Sequence, residues 1–139
     1  MRPEFHRNVF INAPFDPRHT AMFQAIVFAV YDCGFVVRCA LEQEDASQVR
    51  IEKIYQIISD CGLGIHDISL TTLDRTTRLP RFNMPLELGL FLGCKRFGGP
   101  RQQQKNCLIL DTERTATKNS FLISPARISR PTAISRLWP

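Results

Sequence analysis

Four short apolar runs recur along the chain: NVFIN (Asn8 to Asn12), FVVRCAL (Phe35 to Leu41), LGIHDIS (Leu63 to Ser69) and NCLILD (Asn106 to Asp111). Segments of helical period separate them, and this alternation constrains the fold more than any other feature. Short continuous apolar runs suit strands covered on both faces, and strands joined through helices lie parallel with right-handed crossovers. The order βαβαβαβ predicts an α/β domain. Its core is a flavodoxin-like open parallel sheet of four to five strands with helices on both faces.

The connecting segments carry their own punctuation. RHTAMFQAIVFAVYDCG has apolar residues at 22, 23, 26, 27, 30 and 31, which is helical spacing, and Gly34 closes it as a C′ residue. On that spacing Met22, Phe23 and Phe28, together with Phe91 further on, are expected in the core. Asp16, between two prolines, is placed to cap the helix. QVRIEKIYQIISDCG sets Val49, Ile51, Ile54, Ile57 and Ile58 on one face and stops at Gly62. The polar stretch from Leu70 to Arg81 is long enough for a lid or an insertion. Asn83 is the expected N-cap of the next helix, with Pro85 in its first turn.

One domain, residues 1–111, accounts for this pattern, and the chain from 112 to 139 reads as an irregular basic tail. The formal charge of +5 sits largely in that tail. Residues 1–111 hold 13 Lys+Arg against 12 Asp+Glu, and the tail holds five against one, so 1 + 4 = 5. The folded part is nearly neutral, which argues against a nucleic-acid partner. With suitable third-position codons, KNSFLISPARISRPTAI is readable in a shifted frame as EFLSDIAGQDIAAHRN. A coding sequence holding that frame would make residues from about Thr112 a frameshift product.

The five cysteines are odd in number, widely spaced and set in apolar segments, so buried free thiols in a reducing cytoplasm are expected. No apolar run reaches the roughly 18 residues of a membrane span, and the N-terminus lacks a signal-peptide pattern, so no membrane partner is expected. Glu42, Glu44 and Asp45 read as a solvated loop rather than a metal site.

In open parallel sheets ligands bind beyond the carboxyl ends of the strands. The turn after the first strand, the end of the third and the start of the helix carrying Glu87 should converge there. Neither a G-x-G-x-x-G after the first strand nor a P-loop is present, which disfavours the common dinucleotide and P-loop sites. Glu87 falls near N3 or N4 if Asn83 caps, where a capping box or the helix dipole would explain it. Its apolar neighbours Leu86, Leu88, Leu90, Phe91 and Leu92 predict a partly desolvated carboxyl instead. Asp67 leaves the third strand nearby, and two carboxylates there suit chemistry on a sugar whose anomeric carbon gains positive charge. His66 is expected to be a neutral strand histidine bonded to a backbone carbonyl. Arg78 and Arg81 would either hold a phosphate or stand as a solvated loop.

FINAPF, GIHDIS and NMPLELGLFLG together resemble the Rossmann-like group of nucleoside 2-deoxyribosyltransferases and Toll/interleukin-1-receptor-like NAD hydrolases. More narrowly, they resemble a small bacterial family within that group. The resemblance covers residues 8 to about 111, and the shifted-frame DIAGQDI resembles the segment after the fourth strand in that family. In the group a helix opening N-x-x-x-E-x-G carries the catalytic glutamate, matched by Asn83, Glu87 and Gly89. An aspartate after the third strand contacts the sugar, matched by Asp67, with Ser69 beside it. The turn after the first strand contacts base or ribose, matched by Asn12, Ala13, Pro14 and Phe15. Pro85 and its RFNMP lead-in depart from the usual pattern.

The resemblance implies cleavage or transfer at the N-glycosidic bond of NAD or a nucleoside. Glu87 would be nucleophile or stabiliser, Asp67 would orient ribose hydroxyls, and Asn12, Ala13, Pro14, Phe15, Ser69, Arg81 and Asn83 would line the site. It implies no cofactor, with NAD entering only as substrate, and it leaves a homo-oligomer open because members build sites across subunits. The rival expectation is a non-catalytic nucleotide-binding sensor or interaction module.

Overall fold

The strand β1 (Asn8–Asn12) is buried along its whole length and occupies an inner position in the sheet. The computed structural model describes residues 5–42, 50–70, 76 and 82–111. After β1 come a 3-10 turn (Pro17–His19), α1 (Thr20–Asp32), β2 (Val36–Arg38), α2 (Arg50–Asp60) and β3 (Leu63–Asp67). The helix α3 (Asn83–Phe97), the short α4 (Pro100–Gln103) and β4 (Asn106–Leu110) complete the order. The strands stand in the order β2-β1-β3-β4, and every neighbouring pair is parallel. The expected open α/β architecture is therefore present, with four strands among the described residues. Glu44, Asp45, Arg78, Arg81 and the chain from Thr112 lie outside those residues.

Alternation along β1 divides the core. Val9 and Ile11 face α1, where they pack with Ile26 and Val30. Phe10 points the other way, into Ile54, Ile57 and Ile58 of α2 and Phe91 of α3. Helices thus cover both faces of the inner strands, whereas the edge strands β2 and β4, paired on one side only among the described residues, leave Val36, Leu108 and Ile109 exposed.

Several local features differ from expectation for identifiable reasons. β2 ends at Arg38 because Glu42 closes a turn on it, accepting hydrogen bonds from Cys39 N and Arg38 Nε, each at 2.7 Å. α1 presents only Phe23, Ile26, Val27 and Val30 to the sheet. Met22 (51% exposed) and Phe28 (68%) are therefore surface residues, not core. Asp16 caps the 3-10 turn through Arg18 N, one turn before α1 begins. All five cysteines are free, but Cys33 is exposed at the end of α1.

The ends of the helices are closed in two different ways. α1 finishes in the predicted manner: Gly34 has φ +78°, its N–H donates to Tyr31 O, and Phe35 N donates to Val30 O. α2 stops at Asp60, before Gly62, and its last carbonyls are met by side chains from elsewhere. Asn8 Nδ2 donates to Asp60 O at 2.9 Å, and Lys105 Nζ donates to Ile58 O at 2.6 Å and to Cys61 O. Gly62 serves close approach instead: its N–H donates to Phe5 O at 2.7 Å, and an added Cβ would sit 2.7 Å from that oxygen.

Candidate active site

The register of β1 against β3 runs from Val9↔Leu63 to Asn12↔His66, so Asn12 and His66 end up side by side at the carboxyl edge. β1 turns outward to β2 on one side and pairs with β3 on the other. The cleft therefore lies where the strand order reverses. It has a volume of about 510 Å3. The turn after β1 forms one wall with Asn12, Ala13, Pro14 and Phe15, and the start of α3 forms another with Asn83, Met84 and Glu87. Phe82 and, from α2, Arg50 complete the described lining that matters chemically.

Six of the nine residues expected at a site thus come together. Asp67 and Ser69 are not among the cleft-lining residues, and Arg81 lies outside the described ones. Asp67 is 2% exposed, and both of its carboxylate oxygens are engaged. Oδ1 accepts from Ser69 N at 3.0 Å, and Oδ2 lies 2.6 Å from His19 Nε2. The position of Asp67 in β3 explains this. Ile65 faces the α1 core, so Asp67, two residues on, faces the start of α1.

Asn12 acts as a bracket across three elements. Its side-chain amide donates to Met84 O at 2.8 Å and lies 3.0 Å from His66 Nδ1. Since the amide nitrogen only donates, Nδ1 accepts and the ring proton sits on Nε2. His66 is fully buried, edge-on to Phe10 and Phe91, and burial pulls its pKa down to about 3. It is neutral as expected, but its partner is an amide side chain rather than a backbone carbonyl. Asn12→Ala should cost about 2 kcal/mol in urea unfolding, because it leaves His66 Nδ1 and Met84 O without this donor.

Glu87 is 7% exposed. α3 begins at Asn83 with Phe82 as N-cap and no capping side chain, so Asn83 is a helical residue and not the cap. Glu87 therefore falls beyond the first turn, and neither the capping-box nor the first-turn dipole explanation applies to it. Its desolvation does not come from both flanking leucines. Leu86 is 54% exposed, because successive helical residues point in different directions. The carboxyl is shut in by the cleft, where it lies with Met84 and the β1 turn. Burial pushes its pKa up to about 7, against a smaller downward pull from Arg50. No hydrogen-bond partner for it exists among the described residues.

Two contributors carry no local sequence signal. Arg50 sits within an ordinary helical pattern, and His19 within the approach to α1. Among the described residues no three His, Cys, Asp or Glu side chains gather as a metal site, and no helix is long and apolar enough to cross a membrane. Fold and cleft define the chain as an open parallel α/β protein with a carboxyl-bearing crevice at the switch point. Comparisons with protein-family models, curated proteins and solved structures return no match.

Proposed function

We propose that this cleft binds a nucleotide or nucleoside, including NAD, and that Glu87 breaks or exchanges its N-glycosidic bond. One observation carries the reading: a buried carboxyl, with no partner among the described residues, lines the switch-point cleft, where burial pushes its pKa up to about 7. A structural glutamate of this burial would be expected to have a donor or a cation in contact. In the proposed step the Glu87 carboxylate attacks the anomeric carbon, or shields its developing positive charge. The C–N bond breaks, and its electron pair leaves with the base. Water then releases the sugar and restores the carboxylate, or a second base takes the sugar.

This role needs the ionised form of Glu87. For a neutral substrate, kcat/KM should rise with pH through about 7 and then level, since that ratio reports the free enzyme. A profile falling through the same range would mean that Glu87 acts as an acid. The deciding experiment incubates the full chain with NAD, nucleosides and 2-deoxynucleosides and follows released base by chromatography. The engagement of Asp67 by His19 and Ser69 favours one second reading, a nucleotide sensor, because it leaves Glu87 as the cleft's one carboxylate among the described residues. That reading expects ligand to raise the melting temperature with no base released.

A further inference from the structure

Nucleosides and nucleotides differ by a phosphate, and the α2 side of the cleft bears on which of them fits. Arg50 is exposed there, and it has no hydrogen-bond or ion-pair partner among the described residues. Glu87 and Arg50 are the formally charged side chains among the described lining residues. Two aromatic rings stand in the same lining, Phe15 at 47% exposure and Phe82 at 65%. Phe15 packs edge-to-face on Phe23, with centroids 5.7 Å apart.

These groups ask for a ligand with three parts. Exposed rings suit a planar, weakly polar face. The buried carboxyl suits a centre that gains positive charge. An open guanidinium suits an anion, and its planar fork matches a phosphate with two parallel N–H bonds. A nucleoside supplies the first two parts, and a nucleotide supplies all three.

We propose that the cleft selects phosphorylated nucleotides over nucleosides, with Arg50 as the residue that holds the phosphate. The inference rests on the nucleotide reading of the cleft and adds to it a specific anion contact. Arg50 also offsets the repulsion that a phosphate would otherwise meet from an ionised Glu87. A bland alternative gives Arg50 the sole task of tuning Glu87 through space. The two roles separate cleanly, because tuning acts on every ligand and phosphate binding acts on one kind.

The test measures affinities of the full chain, by calorimetry, for the four common ribonucleosides and their 5′-monophosphates. At least one monophosphate should bind roughly 10- to 100-fold more tightly than its nucleoside, as a charged hydrogen-bonded contact provides. Arg50→Ala should erase that preference while leaving nucleoside affinity within about twofold, and Arg50→Lys should keep part of it because a point charge remains. Because Arg50 is exposed, neither variant should disturb folding, which circular dichroism checks. Equal binding of nucleoside and monophosphate by the native chain would overturn the phosphate inference alone. Parallel weakening of both by Arg50→Ala would assign the residue to tuning. Failure of all the ligands to bind would remove the nucleotide reading itself, and the inference with it.

Discussion

Glu87→Gln should lower base release by at least about a thousandfold, leave ligand affinity within a few-fold, and make the protein harder to unfold above pH 7. Loss of rate is expected if the carboxylate is the nucleophile or the stabiliser of positive charge, since an amide has neither the charge nor the nucleophilicity. The change in stability comes from linkage. The folded pKa of about 7 lies above the ordinary 4.5, so between those values the native state holds a proton that the unfolded chain has released. This group's stabilisation is full below 4.5 and is lost as pH rises through about 7, beyond which a carboxylate stands desolvated. Glutamine has no proton to lose. Melting temperatures of the two proteins should therefore coincide near pH 4 and diverge by several degrees at about pH 8.5, with the variant higher. A variant less stable at high pH would mean that Glu87 is held by a partner and serves the fold.

Lys105→Met should be strongly destabilising, at about 3 kcal/mol or roughly 10 °C in melting temperature. The side chain is fully buried and closes the carboxyl end of α2 through Ile58 O and Cys61 O. Its ammonium also stands 4.6 Å from the centroid of Phe91 and 5.1 Å from that of Phe5. Methionine fills similar space but leaves two carbonyls without this donor. Burial pulls the Lys105 pKa down to about 8, and the neutral amine keeps two N–H donors. Raising the pH through 8 should therefore leave the native chain folded, whereas the methionine variant should be weak at every pH. Urea titrations of both proteins on either side of pH 8 would check this, and an unfolding midpoint unchanged in the variant would remove the capping role.

What the sequence disclosed, and what it hid, divides by range. β1 was legible because a short apolar run and a double-proline turn are local signals. The end of α1 was legible because Gly34 takes a conformation that few other residues accept. Within the site, the turn after β1 and the carboxyl of Glu87 could be found, since topology alone brings strand ends and helix starts together. Partnerships across long separations could not. Lys105 caps a helix 47 residues earlier, His19 reaches Asp67 across 48, and Asn12 reaches Met84 across 72. No local pattern announces such pairs. Phe28 misled for a related reason: helical spacing shows that residues share a face, but not how much of a helix its neighbours cover.

The pairing of β1 with β3 also sets a timetable for the chain as it is made. Val9 meets Leu63, a separation of 63 − 9 = 54 residues, and β3 must be synthesised before that edge of β1 is filled. Until then a nascent chain carries an apolar strand with one side open, the arrangement most prone to pair with a stranger. Closing so distant a contact is slow, because chain entropy is lost before any contact rewards it. The cleft comes later still, since Asn12 cannot complete its bracket before Met84 exists. The walls of the cleft can thus meet only once the start of α3 has been made.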